Sequence, residues 1–372
     1  MTMVENKPAT DNQKNALRLR GLDYIELYVG NASQAAHYYR STFGFKPVAY
    51  AGLETGRRDC ISYVLEQQNI RLVLTSSLDP ESPVSESVRL HGDSVQDIVF
   101  RVDNAEAAYH EALSRGATPL QEPKVLADDR TVDVKASIGG LGHTKHSFIE
   151  HRSPDKWGMA GYQVLDNSMQ MSSMGLTAVD HIAVGVEPGY LDQWIDAYKT
   201  ILGFHQFHHE DIATEYSAMN SKVVADETLD IKIVMMEPAQ GKRRSQIQEF
   251  LNFHRGAGVQ HVALHTHDIF NAVRILRGNC VEFLNVPNTY YEELEDRVGD
   301  VRDQLGVLSQ LSILVDKDPS GKLMQTFTKP VQGRPTMFFE VIQRLGAVGF
   351  GSGNIKALFQ AVEQEQAKRG TL

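Results

Sequence analysis

Cysteine is nearly missing from this chain: Cys60 and Cys280 are the only two in 372 residues, and neither belongs to a CxxC pair. A disulfide framework and a thiolate zinc site are therefore unsupported, and each cysteine is expected to be a small buried hydrophobe. Long apolar runs are missing too, none reaching the ~18 residues needed to span a bilayer. The opening stretch, MTMVENKPATDNQKNALR, has no apolar h-region. A secretory signal is therefore not expected, and a reducing cytoplasm is the default location. Basic clusters are equally scarce. The 37 Lys and Arg are scattered against 47 Asp and Glu, for a formal charge of -10. That leaves no basic face for nucleic acid and favours plain solubility. What is present, 42% hydrophobic and 23% charged residues, is the make-up of a globular chain with room for two or three domains.

The chain is written twice. Residues 21–45, GLDYIELYVGNASQAAHYYRSTFGF, are echoed by 178–204, AVDHIAVGVEPGYLDQWIDAYKTILGF. Each reads as a short alternating strand, a polar break and a helix ending in Gly-Phe. Ala35, Tyr38, Tyr39 and Phe43 share a face at helical spacing in the first; Trp194, Ala197, Tyr198 and Ile201 do so in the second. Gly44 and Gly203 fall where a left-handed C-cap belongs. Further on, DSVQDIVF (93–100) is matched by AGVQHVAL (257–264), and each runs into another helix, 104–115 and 268–277. HSFIEHR (146–152) and FFEVIQR (338–344) then close the two halves. Two βαβββ units per half make the expected fold class α+β, with domains at 18–152 and 177–372 and a polar connector at 153–176. After GFGSGN, a helix at 353–369 places Ile355, Leu358, Phe359 and Val362 on one face, a stripe that must pack onto something.

Fourteen histidines make any single one an ordinary structural or solvated residue. The repeat singles out two: His181 and His261 hold equivalent strand positions in modules that must pack side by side. Glu340 sits near the same register on the closing strand, within the apolar run MFFEVI. Two imidazoles and one carboxylate, with other positions open, are the donor set of non-haem Fe(II) oxygenases. A buried carboxylate is rare unless paired or metal-bound, so a Glu340–Arg344 ion pair is the alternative. The first half puts Tyr24, Asp97 and Phe148 at the matching places, a set that cannot form such a triad. One metal, in the second half, is expected. His265 and His267 follow His261 at strand period and could share its face. His205, His208 and His209 read as exposed loop or strand-start residues.

The combination of VDHI, GVQHVAL, FTKPVQGRPTMFFEVIQR and GFGSGNIKALFQAVEQEQ resembles the 4-hydroxyphenylpyruvate dioxygenase and 4-hydroxymandelate synthase family. The resemblance covers nearly all of residues 20–370 and is strongest after 176. It implies two vicinal-oxygen-chelate (glyoxalase-like) domains with the C-terminal helix as a lid. It also implies His181, His261 and Glu340 as ligands of Fe(II). Gln325 in LMQTF, Gln246 in SQIQEF and Ser221 in AMNSKVV match polar catalytic residues of the pocket. Val223, Val234, Met236, Phe327, Ile355 and Phe359 match substrate-binding positions, with Phe327 stacked on the substrate ring. The implied substrate is an aryl 2-keto acid, 4-hydroxyphenylpyruvate, held on iron through its carboxylate and keto oxygen. O2 is the co-substrate and CO2 is released; no external 2-oxoglutarate is needed, because the substrate carries its own keto acid. A small-molecule partner, no nucleic acid, no membrane and a homo-oligomer (dimer or tetramer) are implied as well.

The resemblance divides on the product. Homogentisate-forming members read PINEP where this chain has Val234-Met235-Met236-Glu237-Pro238, and carry Phe after Gly-Asn where it has Ile355. Mandelate-forming members have an aliphatic residue at Met236 and Ile at 355, although Val234 replaces a hydroxyl-bearing residue. FTKPVQGRPT looks closer to the homogentisate makers. Benzylic hydroxylation to 4-hydroxymandelate is the favoured expectation and ring hydroxylation to homogentisate the alternative. A different apolar 2-keto acid, an extradiol dioxygenase, an isomerase or lyase, or a small-molecule binding protein of this fold are further readings.

Overall fold

The computed structural model describes residues 17–153, 159–166 and 174–372. The opening residues 1–16 and, within the expected connector, 154–158 and 167–173 lie outside the described residues. The first half contributes strands β1 (Leu19–Tyr28), β2 (Lys46–Ala51), β3 (Cys60–Gln67), β4 (Ile70–Ser77), β5 (Ser94–Val102), β6 (Pro119–Ala127), β7 (Val132–Gly139) and β8 (Lys145–His151). Helices α1 (Ala32–Phe43), α2 (Pro83–His91) and α3 (Ala105–Ser114) belong to it. A two-residue strand, β9 (Gln163–Val164), falls in the expected connector and pairs with β2. The second half supplies β10 (Leu176–Gly185), β11 (His205–Ala213), β12 (Ala218–Ala225), β13 (Lys232–Ala239), β14 (Gly258–Thr266), β15 (Leu314–Asp318), β16 (Gly321–Phe327) and β17 (Phe338–Leu345). Its helices are α4 (Leu191–Ala197), α5 (Gln246–His254), α6 (Ile269–Gly278), α7 (Asn288–Glu292), α8 (Leu294–Val298), α9 (Leu305–Leu311) and α10 (Ser352–Arg369).

The strands form two sheets, β6-β7-β8-β5-β1-β4-β3-β2-β9 and β11-β12-β13-β10-β14-β17-β16-β15. Read from the opposite edge and without β9, the first has the order of the second. In each, the opening strand pairs parallel with the fourth and antiparallel with the fifth. The duplicated βαβββ pattern is thus the real architecture, and the fold is α+β as expected.

Local chemistry accounts for the helix ends. Asn31 accepts from the Gln34 amide to cap α1, and Gly44 closes it at φ 71°. Gly203, at φ 74°, closes the matching helix in the second half. That helix differs from the expectation: α4 stops at Ala197, and a π turn over Tyr198–Leu202 completes it. Its buried face is Leu191, Ile195, Tyr198 and Leu202, with Trp194, Ala197 and Ile201 half-buried.

The halves share one core. Tyr39 and Phe43 of α1 meet Phe339 of β17 with ring centroids 5.9 and 5.0 Å apart. His146 of β8 lies 2.6 Å from the Tyr198 hydroxyl across the same boundary. Cys60 is buried as expected; Cys280 is exposed, held in a left-handed turn after α6 at φ 64°.

Ladder registers correct one expectation. Val99 of β5 faces Ser147, as Ala263 of β14 faces Glu340, so Ser147 and not Phe148 is the counterpart of Glu340. Both halves also carry an extra residue at a matching point of the opening strand. Leu22 and Tyr24 face consecutive residues of β5, leaving Asp23 as a bulge, and Val179 and His181 do the same around Asp180. In the first half the Asp23 carboxylate is taken by Arg71 at 3.1 Å and His151 at 2.9 Å. His151 also bonds Asp133 at 2.7 Å.

The Asp133 and Asp23 hydrogen bonds outweigh burial and raise the His151 imidazole to about 9. An unfolded histidine titrates near ~6.5, so this contribution is complete below that pH and is lost as pH rises through 9. Thermal or urea unfolding between pH 6.5 and 9 is expected to show a loss on the order of 2 kcal/mol from this group. His151→Gln should flatten that part of the profile; the same slope in both proteins would contradict it.

Candidate active site

Three neighbouring strands place the predicted ligands on one concave face. His181 of β10 lies opposite Ala263 of β14, and Ala263 lies opposite Glu340 of β17; His261 is two residues from Ala263 on the same face. The small Ala263 side chain leaves the space between them open. Glu340 Oε2 is 3.2 Å from His181 Nε2 and 3.5 Å from His261 Nε2. One donor atom from each residue lies within 4.8 Å of the others, the one such cluster among the described residues. All three residues are buried.

The other ring nitrogens are tied down. His181 Nδ1 lies 2.8 Å from Asp180 Oδ1, and His261 Nδ1 lies 3.4 Å from Gln260 Oε1. Both Nε2 atoms are thereby left to face the cluster, the usual arrangement of histidine ligands. Burial alone would raise the Glu340 carboxyl, but the two imidazoles outweigh it and bring it down to about 2. Burial lowers His261, whereas Glu340 and Asp180 overcome burial and raise His181. An ionised carboxylate with two imidazole nitrogens, shut away from water, has room and need for a cation. The donor set fits Fe(II).

The expected alternative, a Glu340–Arg344 ion pair, is not formed. The two residues sit four apart on one strand, about 13 Å. Arg344 instead grips Asp180 with both arms of its guanidinium, at 2.7 and 2.8 Å. His265 and His267 stay outside the cluster: His265 Nδ1 bonds Thr177 Oγ1 at 2.8 Å, and His267 lies past the end of β14.

A pocket opens over the three residues, which form part of its lining. Ser221, Val223, Val234, Met236, Gln246, Gln325, Phe327 and Ile355 all line it. Gln325 bridges, donating to Glu340 Oε1 at 2.8 Å and accepting from Asn354 of α10 at 2.8 Å. Ser221 donates to the Glu210 carbonyl at 2.9 Å. Gln246, in the first turn of α5, keeps a buried Oε1 with no partner in the protein. A polar atom so placed at a pocket wall is ready for a ligand.

Phe359 is placed differently from the expectation. Fully buried, it packs with Met219, Met236 and Phe250 behind the pocket wall and does not line it. Four lining residues are not singled out by the sequence: His208, Met219, Gln260 and Phe350. His208 is half-buried on β11, where a polar run HQFHHED disguises it as surface. Gln260, adjacent to His261, could have been found from the repeat, since Gln96 precedes Asp97 in the first half. Over the mouth, α10 buries Ala357, Leu358 and Phe359, with Ile355 and Val362 half-buried. Its far end is clamped by Glu363, which accepts from Thr214 and Ser217 hydroxyls at 2.7 and 2.5 Å. Among the described residues, no helix is long and apolar enough to cross a membrane.

Comparison with known proteins agrees with this geometry. Residues 13–166 match the family described as hydroxyphenylpyruvate dioxygenase, N-terminal. Residues 178–311 match the glyoxalase/bleomycin resistance protein/dioxygenase superfamily. The 4-hydroxyphenylpyruvate dioxygenase of Neurospora crassa is 40% identical over 95% of this chain and 93% of its own length. That of Danio rerio is 42% identical over 94% and 91%. Among solved structures, a triple mutant of 4-hydroxymandelate synthase from Streptomyces coelicolor superposes with a TM-score of 0.85 at 34% identity, covering 94% of this chain and 99% of its own. Full-length relatives of this identity, on two glyoxalase-type sheets, place the chain in the 4-hydroxyphenylpyruvate dioxygenase and 4-hydroxymandelate synthase family of non-haem Fe(II) dioxygenases.

Proposed function

We propose that this chain catalyses the oxygen-dependent decarboxylation of 4-hydroxyphenylpyruvate at an Fe(II) held by His181, His261 and Glu340. The observation that carries the reading is the buried Glu340 carboxylate lying between two imidazoles, at the wall of a pocket that combines apolar side chains with a few polar ones. Fe(II) bound there supplies open coordination positions and the redox capacity that O2 chemistry needs. The chain supplies orientation and dryness. Gln246 and Ser221 offer polar contacts to the keto acid. Phe327 offers its ring to the aryl group, and α10 keeps water out. Glu340 is held on the cluster by the Gln325 amide, whose other side is held by Asn354 of the covering helix. External 2-oxoglutarate is not required on this reading, and the division at 18–152 and 177–372 stays our proposal for the domains.

Two products are compatible with it, and each rests on its own observation. Homogentisate is better supported by the comparisons, because the curated relatives near 40% identity are named 4-hydroxyphenylpyruvate dioxygenases. 4-Hydroxymandelate is favoured by the wall itself: Val234, Met236 and Ile355, the three departures from the ring-hydroxylating pattern, all face the pocket. Ile in place of Phe leaves space for the aryl ring to swing and expose the benzylic carbon. Tenfold partitioning between the products needs only ~1.4 kcal/mol between two transition states, within the ~1–3 kcal/mol of a single methylene-scale contact.

Purified protein loaded anaerobically with Fe(II) is expected to consume O2 and release CO2 when given 4-hydroxyphenylpyruvate, without 2-oxoglutarate. Lack of turnover with this acid and with phenylpyruvate would redirect the reading to another apolar 2-keto acid. Glu340→Ala and His261→Ala should each lose turnover by at least ~10³-fold while remaining folded; either one keeping iron and activity would overturn the ligand assignment.

Chromatography against both standards separates the products. If the relatives' names are the better guide, wild type yields homogentisate and Ile355→Phe changes little. If the wall decides, wild type yields mainly 4-hydroxymandelate, Ile355→Phe diverts part of it to ring oxidation, and adding Met236→Asn diverts more.

A further inference from the structure

The Asp180–Arg344 pair touches both the metal cluster and the cover of the pocket. Asp180 is the bulge residue of β10, with no partner in the ladder, and its side chain is 5% exposed. Its Oδ1 receives both His181 Nδ1 and Arg344 Nη2, each at 2.8 Å, and its Oδ2 receives Arg344 Nε at 2.7 Å. The remaining arm of Arg344 reaches forward along the chain. Nη1 donates to the Gly349 carbonyl at 2.6 Å and to the Ala347 carbonyl at 3.2 Å. The guanidinium also lies over the Phe350 ring at 5.4 Å, and that ring meets the His181 imidazole edge-on at 5.0 Å.

Residues 346–351 form the strap that joins β17 to α10, and they are held from both sides. Arg344 takes the carbonyls, while Asp318 accepts the Val348 and Gly349 amides at 2.8 and 2.7 Å. Gly346 and Gly351 sit at φ 93° and 73°, and an added Cβ would come within 2.6 Å of the Ser320 carbonyl oxygen and 2.8 Å of the Asp316 side chain. The strap therefore has one well-defined seat. Beyond it, Asp316 accepts the Gly353 amide at 2.8 Å and seats the start of α10.

The first half shows what the clamp does without a metal cluster. His151 stands four residues after Ser147, as Arg344 stands four after Glu340, and it takes the Asp23 bulge carboxylate in the same way. A bulge acid gripped by a cation from the closing strand is thus part of the module. Among the described residues, it is in the second half that the acid also orients an imidazole of the cluster and the cation holds a strap leading to a cover.

We propose that Asp180 and Arg344 are positioning residues that couple the orientation of the metal ligand His181 to the seating of α10 over the pocket. The inference rests on the reading of His181 as a ligand. Arg344 is one rigid fork, with its Nε and one Nη on Asp180 and the other Nη on the strap. A lifted strap takes two acceptors from that fork and frees Phe350 from the imidazole edge. An imidazole turned away from the cluster releases Asp180 and so loosens the fork. Metal binding and lid closure are linked in both directions, as any such coupling must be.

The test combines hydrogen exchange of residues 345–362 with calorimetric titration of Co(II), a redox-stable probe, into the metal-free protein. In wild type, Co(II) should slow exchange in the strap and the start of α10 at least tenfold. Asp180→Asn, which does not touch α10, should abolish that slowing and weaken Co(II) by roughly 10–100-fold, the usual effect of losing such a partner. Arg344→Lys keeps the charge but cannot span both sites. It should speed strap exchange and also weaken Co(II), although Arg344 does not contact the cluster donors. If Co(II) binds the wild type and leaves strap exchange unchanged, the coupling is refuted while the ligand assignment stands. The coupling is equally refuted if Arg344→Lys alters only the strap and Asp180→Asn only the metal. If Co(II) does not bind the cluster at all, the ligand assignment and the coupling fall together. The wild-type comparison decides the matter even where a variant folds poorly.

Discussion

The charge on Glu340 is the constraint around which the second half is arranged. A carboxylate 1% exposed, with no arginine or lysine against it, is stable only if something positive is brought to it. Two imidazoles at 3.2 and 3.5 Å and one amide from Gln325 at 2.8 Å are what the chain itself provides. On the proposed reading a metal ion provides the rest. Much else follows from keeping that arrangement dry and oriented: the Asp180 and Gln260 contacts behind the imidazoles, the apolar wall, and a helix seated over the mouth.

The first half meets the same electrostatic problem differently. Asp97 stands at the place of His261 and is fully buried, and its cation comes from the chain itself: the Lys135 ammonium at 3.0 Å, with Lys145 at 3.6 Å. Lys135 occupies the register position that Gln325 holds in the other half. Tyr24 and Ser147 complete the set through hydrogen bonds from Lys135 to Tyr24 and from Ser147 to Asp97. One copy of the module has thus internalised its cation as a side chain, while the other keeps its donor set for an external one. Duplication followed by this division explains how two sheets of the same strand order can carry one candidate centre among the described residues.

Much of this is legible in the chain alone. The paired strand motifs tell where His181 and His261 sit relative to each other, because a repeated module repeats its strand order as well as its sequence. The chelating set follows from residue chemistry, and the pocket residues from the motifs around them. What stays hidden has physical reasons. HSFIEHR and FFEVIQR align end to end, yet a one-residue difference in ladder register exchanges Phe148 for Ser147. The bulges at Asp23 and Asp180 add a residue that alternation cannot reveal. Asn354, Glu363 and Gln366 are buried on α10, where a search for apolar stripes passes over them. Arg344 reads in the sequence only as a partner for Glu340, because its true partner lies on a different strand.

On the proposed reading, one of two equivalent sheets holds a metal and the other does not. Crystals of protein loaded anaerobically with Fe(II), measured on both sides of the iron absorption edge, test it most directly. A single anomalous peak per chain is expected, within bonding distance of His181 Nε2, His261 Nε2 and a Glu340 carboxylate oxygen. A second peak among Tyr24, Asp97 and Ser147, or none at the His181–His261–Glu340 cluster, would contradict it.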